Sequence, residues 1–111
     1  MEISDNILDD VFSYTLENDA DIAEKIAHDL RCRRIERNIS RATLAKESGV
    51  ALANIVRFEN SHFISLQNLI KIAMYLGYSG EMKNLFVQQK YDTLEELEII
   101  KKNMNKKRAR K

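Results

Sequence analysis

The sequence predicts an all-α fold, on three observations. Its 111 residues hold no proline and only three glycines, whereas an all-β chain needs turn residues every ~8–12 positions. Its apolar residues recur at helical rather than alternating spacing. Ser, Thr or Asn stands just before most of these stretches, where a side-chain oxygen caps the first free N–H groups of a helix. At 44% hydrophobic, a chain this short builds one modest core, so one domain with tails is expected.

The elements follow in order. Ser4 caps a short helix over 5–17, with Ile7, Leu8, Val11, Phe12 and Leu16 on one face. Asn18 and Asp19 start the next helix, from about Ala20 to Arg37, which turns Ile22, Ala23, Ile26, Ala27 and Leu30 to one side. Asn38 ends it, because Asn tolerates positive φ. Ser40 caps a helix over Arg41–Ser48 that points Leu44 and Ala45 inward and stops at Gly49. A helix over Leu52–Glu59 buries Ile55 and Phe58. Ser65 caps a helix over Leu66–Leu76, with Leu66, Leu69, Ile70, Ala73 and Met74 inward and Gly77 as its stop. Ser79 caps one over Gly80–Gln89, with Met82, Leu85 and Phe86. Thr93 and Glu96 form a capping box for an amphipathic helix over Leu94–Met104. The last seven residues, NKKRARK, contain nothing that builds a core and should lie in solvent. The chain thus divides into an acidic N-terminal helical extension (1–20), a central helical domain (21–89) and a C-terminal helix with a basic tail (90–111).

A net charge of +1 conceals a strong asymmetry. Residues 1–21 carry seven acids and no base, and residues 22–60 carry eight bases and five acids. All seven bases of residues 91–111 fall within the last eleven positions. The total therefore says little about nucleic acid, and the distribution says more. A single cysteine, Cys32, forms no internal disulfide. The first ten residues are acidic where a secretory leader is basic, and no apolar run approaches the ~20 residues of a membrane span. A cytoplasmic protein with no membrane contact is expected. His28 and His62 are too few and too far apart for a metal site. There is no nucleophile–base constellation and no phosphate-cradling glycine loop, so neither an enzyme nor a cofactor is expected.

The informative segment is ISRATLAKESGVALANIVRFEN, residues 39–60. Two short helices meet there at Gly49 with about three residues between them, the spacing of a helix-turn-helix. Ala45 is small enough to let the second helix cross closely. Gly49 adopts the turn conformation that a side chain resists. Val50, Ile55 and Phe58 hold the second helix to the core, which frees its other face for a major groove.

This stretch resembles the Cro/repressor (XRE) family of helix-turn-helix proteins over about Ile22–Phe86. The resemblance rests on Leu44-Ala45, Gly49-Val50, Ile55, Arg57, Glu59-Asn60 and the following SLQNLIKIAMYLGY, residues 65–78. It implies a five-helix lambda-repressor-like domain, here with an extra N-terminal helix and a basic C-terminal helix and tail. It further implies that Leu52, Ala53, Asn54 and Arg57 face base edges, and that Ser40, Arg41, Asn60 and His62 lie at DNA phosphates. Arg34 and Glu59 resemble the family's buried ion pair. The implied partners are double-stranded DNA with a palindromic operator and a second copy of the chain. The segment RFENSHFISL, residues 57–66, with the short basic C-terminal extension also resembles HipB-type antitoxins, which repress their own operon and hold a HipA-like kinase toxin.

The sequence departs from the family pattern in places. Ala51 stands where a Ser or Thr usually caps the recognition helix, a loss of ~1 kcal/mol at a typical cap. Leu52 and Ala53 touch a thymine methyl at most, so direct readout falls on Asn54 and Arg57. The loop 61–64 lacks basic residues, leaving specificity partly to DNA shape. Lys106, Lys107, Arg108, Arg110 and Lys111 make either a nonspecific DNA-binding arm or a solubilising tail. The dimer contact falls on either the Ile7, Val11, Phe12 set or the Leu94, Leu97, Ile100 set. Two other roles stay open, a phage or mobile-element repressor and a protein-interaction adaptor with vestigial DNA binding.

Overall fold

The structure, a computed structural model, describes residues 17–109. Over that span the chain is all-α: α1 (Asp19–Glu36), α2 (Arg41–Ser48), α3 (Leu52–Ser61), α4 (Leu66–Tyr75), α5 (Ser79–Lys83) and α6 (Leu94–Asn103), with no strand among the described residues. Of the expected helix over 5–17, with its Ile7, Val11 and Phe12 set, all but Glu17 lies outside the described residues. No described helix is long and apolar enough to cross a membrane.

Local chemistry sets the boundaries. Asn18 caps α1 through a reciprocal box: its Oδ1 accepts from the Asp21 N–H at 3.0 Å, and the Asp21 carboxylate accepts from the Asn18 N–H at 3.3 Å. Ser40, Ser65 and Thr93 cap α2, α4 and α6 by accepting from the N–H groups of Thr43, Asn68 and Glu96, each at 3.1 Å. The Glu96 carboxylate returns to the N–H of Asp92 rather than that of Thr93, so the expected box is shifted by one residue. At the end of α1, Asn38 takes φ +57°, and the N–H groups of Asn38 and Ile39 reach back to the carbonyls of Ile35 and Arg34. Gly77 closes α4 the same way at φ +97°, with the Tyr78 N–H on the Ala73 carbonyl. Both are Schellman closures, which need a left-handed residue at that point.

The core gathers Ala27, Leu44, Val50, Ile55, Phe58, Ile72 and Leu76, with Leu30, Ile39, Ala45, Ile64, Leu69 and Tyr78 packed around it. Full burial of a large aliphatic or aromatic side chain is worth ~1.5–3 kcal/mol. Ile55 and Phe58, at 0% and 3% exposure, therefore pin one face of α3 firmly.

Three expectations need correction. The inward face of α4 is Leu69, Ile72, Ala73 and Leu76, while Leu66 and Met74 are exposed. Both stripes have helical spacing, and packing against α2, in the core shared with Leu44, selects between them. On α1 the inward line is Ala27, Leu30 and Arg34, and Ile22 and Ile26 remain in solvent. α5 ends at Lys83, well short of Gln89, and Ser79 is not its cap; Tyr78 holds that place without a side-chain bond. The Asn84 amide side chain donates to the Gly80 carbonyl at 2.9 Å, an Asn-to-backbone competition that closes the turn. Beyond it, Leu85 and Phe86 find no core and are exposed.

Gly49 closes α2 at φ +78°, and a Cβ there would meet nothing within 4 Å. Its substitution therefore isolates backbone strain from clash. Gly49→Ala should lower unfolding stability by ~1–2 kcal/mol, and Gly49→Asn by less, in urea denaturation. Equal stability of Gly49→Ala and the parent chain would show that the turn relaxes out of the left-handed region.

Candidate nucleic-acid interface

α2 and α3 are joined by the three residues 49–51, and α3 leaves that turn without a side-chain cap at Ala51. The position of α3 therefore comes from packing and from one charged contact. Glu59, on its last full turn, has a side chain 3% exposed. Arg34 of α1, 9% exposed, donates through Nε and Nη2 to the two Glu59 oxygens at 2.8 and 2.9 Å. Its Nη1 donates to the Ile39 carbonyl at 2.8 Å, in the turn between α1 and α2. Arg41, the first residue of α2, donates from Nε to Glu59 Oε1 at 2.9 Å. Arg31 approaches the same oxygen at 3.9 Å. One carboxylate thus gathers guanidinium groups from α1 and α2.

Burial by itself disfavours the charged form of Glu59. The hydrogen bonds from Arg34 and Arg41, and then their charges, outweigh it and hold the carboxyl below its ordinary value of 4.5. A bidentate Arg–carboxylate pair is the strong form of such a contact.

With Ile55, Phe58 and Glu59 turned inward, the opposite side of α3 carries Leu52, Ala53, Asn54 and Arg57, all exposed. Asn60 is exposed beside them. His62 ends α3 at φ +67°, its N–H on the Phe58 carbonyl at 2.8 Å, and is half-buried. Ser40 is exposed, but its hydroxyl is engaged in capping α2 and donates to Thr43 Oγ1 at 3.0 Å. Arg41 is one-third exposed, with its Nε committed to Glu59. Lys106, Lys107 and Arg108 are exposed beyond α6. Arg110 and Lys111 lie outside the described residues.

Two features escape a reading of the sequence. Arg41 belongs to the Glu59 cluster, a contact made 18 residues away along the chain. Phe63, 67% exposed, lies under Arg57, whose guanidinium carbon is 5.7 Å from the ring centroid. That is cation–π range. An aromatic residue in the short loop just after α3 was the signal available for it. Asn54, Arg57, Phe63, Ile64, Ser65 and Asn68 together line an open depression of about 370 Å³, which joins the outer end of α3 to the start of α4.

Residues 30–82 match the model of the helix-turn-helix family HTH_3. The match opens inside α1, spans the Glu59 cluster and all of α2, α3 and α4, and closes in α5. HTH_3 is a DNA-binding regulatory domain. No curated protein and no solved structure matches the chain.

The cluster makes a stability prediction. Glu59→Leu strands the buried Arg34 cation, and a loss of ~3–5 kcal/mol is typical when one member of a buried pair is removed. Adding Arg34→Met should restore much of that loss, since Arg41 and Arg31 can turn to solvent. The sign with pH follows from the lowered carboxyl value. Glu59 contributes in full above 4.5, and the contribution fades as pH falls through the lower folded value. Chemical denaturation at neutral pH and below 4.5 checks both points. The double variant should show a shallower acid decline than the parent. An additive double variant with an unchanged acid limb contradicts the cluster.

Proposed function

We propose that this chain is a cytoplasmic transcriptional repressor that reads DNA with α3, two copies lying on the two halves of a palindromic operator. The observation that carries this is the division of α3 into two faces within an HTH_3 match. Ile55, Phe58 and Glu59 are committed to the fold, and Leu52, Ala53, Asn54 and Arg57 project together into solvent. A major groove admits a helix presented in that way, and a single copy reads only one half-site.

In this reading Arg57 is the main reader. Arg pairs bidentately with guanine and Asn54 with adenine, while Leu52 and Ala53 contact a thymine methyl. Phe63 holds Arg57 in place and limits its rotamers before DNA arrives. The exposed part of Arg41, together with Ser40, Asn60 and His62, lies along the phosphates. Lys106, Lys107 and Arg108 add affinity without sequence information.

A finer reading makes the repressor the HipB-type antitoxin of a toxin–antitoxin operon, with a HipA-like kinase toxin as its second partner. It is supported by the seven acids and absence of bases in residues 1–21. Such a segment repels DNA and steers toward a basic protein. Co-expression with the product of the adjacent gene tests it: copurification and relief of growth inhibition support the antitoxin, and their absence returns the chain to a plain repressor.

DNA reading is tested on a duplex selected from a random-sequence pool with the full chain. Arg57→Ala should cost ~1–3 kcal/mol on that duplex, about 5- to 150-fold in Kd, and relax the preference at one base position. Lys107→Ala should weaken all duplexes alike and flatten the salt dependence. Failure to select any duplex, or full affinity in a folded Arg57→Ala variant, removes α3 as a DNA reader. The exposed Leu52 and Ala53 would then belong to a protein-interaction adaptor.

A further inference from the structure

α6 is a ten-residue helix, none of whose residues is buried. A helix this short is marginal in water without packing. Leu94, Leu97, Ile100 and Met104 recur at helical spacing and form one stripe along it. Leu94 and Met104, at the two ends of the stripe, are 77% and 61% exposed, and Leu97 and Ile100 between them are half-buried. The fifth apolar residue, Ile99, lies on the other side and takes no part in the stripe.

The charges along α6 are polar in a way that selects a partner. Glu95 and Glu96 occupy its first turn, and Lys101 and Lys102 its last. Glu98 and Lys101 border the same edge of the stripe, with Glu95 and Lys102 just outside them. A two-fold interface requires a self-complementary patch. Setting a second α6 antiparallel along the stripe places Leu94 against Met104 of the other copy and Leu97 against its Ile100. The same rotation brings each Glu98 to Lys101 of the other copy and each Glu95 to its Lys102. A parallel arrangement would stack the acidic first turns on each other and the basic last turns likewise. Exposed ion pairs are weak singly, but like-charge juxtaposition is a strong discriminator of orientation.

We propose that α6 is the self-association surface of this chain, pairing antiparallel with α6 of a second copy through the Leu94–Met104 stripe. The pair leaves the basic segments that follow Asn103 at opposite ends. This deepens the two-copy reading above by naming its contact. Its test is run without DNA, so it can fail while DNA reading by α3 stands.

The test is sedimentation of the full chain, with circular dichroism to verify folding. The parent chain and Arg57→Ala should both be dimers. Reversing Glu95→Lys with Glu98→Lys should weaken the dimer by at least tenfold, on the order expected for four reversed exposed pairs. Adding Lys101→Glu and Lys102→Glu should restore it. Orientation is read independently by disulfide trapping in a Cys32→Ser background. Leu94→Cys combined with Met104→Cys should cross-link two copies, and neither substitution alone should do so. A monomeric parent chain, a dimer indifferent to the reversal, or efficient cross-linking by Leu94→Cys alone overturns the proposal.

Discussion

The fold depends on one carboxylate. Glu59 sits on α3, and the guanidinium groups that reach it come from α1 and α2. Arg34 also closes the turn after α1 by donating to the Ile39 carbonyl. The side chains that bind Glu59 therefore fix three helices relative to one another, on the side of α3 away from solvent. An uncompensated charge in that position would be costly. The arrangement is tolerated because both carboxylate oxygens and most of the Arg34 donors are satisfied. Its consequence is orientation. α3 has no side-chain cap, so little local to it determines where its free face points, and the cluster together with Ile55 and Phe58 supplies that direction.

Much of this was legible in the sequence, for identifiable reasons. Ser40, Gly49 and Ser65 are punctuation whose chemistry is local, and α2 runs over the expected Arg41–Ser48. Asn38 takes the positive φ expected of it for the same reason. Ile55 and Phe58 were legible as a buried pair because two large apolar residues three apart share one side of a short helix. The rest depended on contacts that spacing cannot show. α4 carries apolar residues around much of its circumference, so periodicity alone does not choose between Leu66 with Met74 and Ile72 with Leu76. Met82, Leu85 and Phe86 stand at helical spacing, but there is too little core beyond Lys83 to keep Leu85 and Phe86 in α5. At the site, the family resemblance pairs Arg34 with Glu59, and they lie 2.8 Å apart. The same resemblance sends Arg41 to a phosphate; its Nε also binds Glu59, a link between distant positions that no local pattern encodes.

The free face of α3 is chemically sparse. Leu52 and Ala53 offer no hydrogen bonds, which leaves Asn54 and Arg57 as the polar groups aligned along it. A reader with so few polar groups gains from having them preset. Arg57 over the Phe63 ring is one such device, since cation–π contact narrows the conformations a long side chain must give up. Two copies reading two half-sites would compensate further for limited contact per copy. Under the proposed pairing, the charge polarity of α6 and the sparse face of α3 would be two parts of one design, with pairing adding to a weak individual reading.

The central claim is that the outward face of α3 is the surface that meets DNA. Amide NMR of the full chain, titrated with a duplex selected from a random-sequence pool, tests it most directly. The account predicts that Leu52, Ala53, Asn54, Arg57 and Asn60 shift and broaden first, with Phe63 beside them, while Ala27, Leu44 and Ile72 in the core stay in place. Perturbation concentrated on α1, α5 or α6, with the α3 amides unmoved, would contradict it.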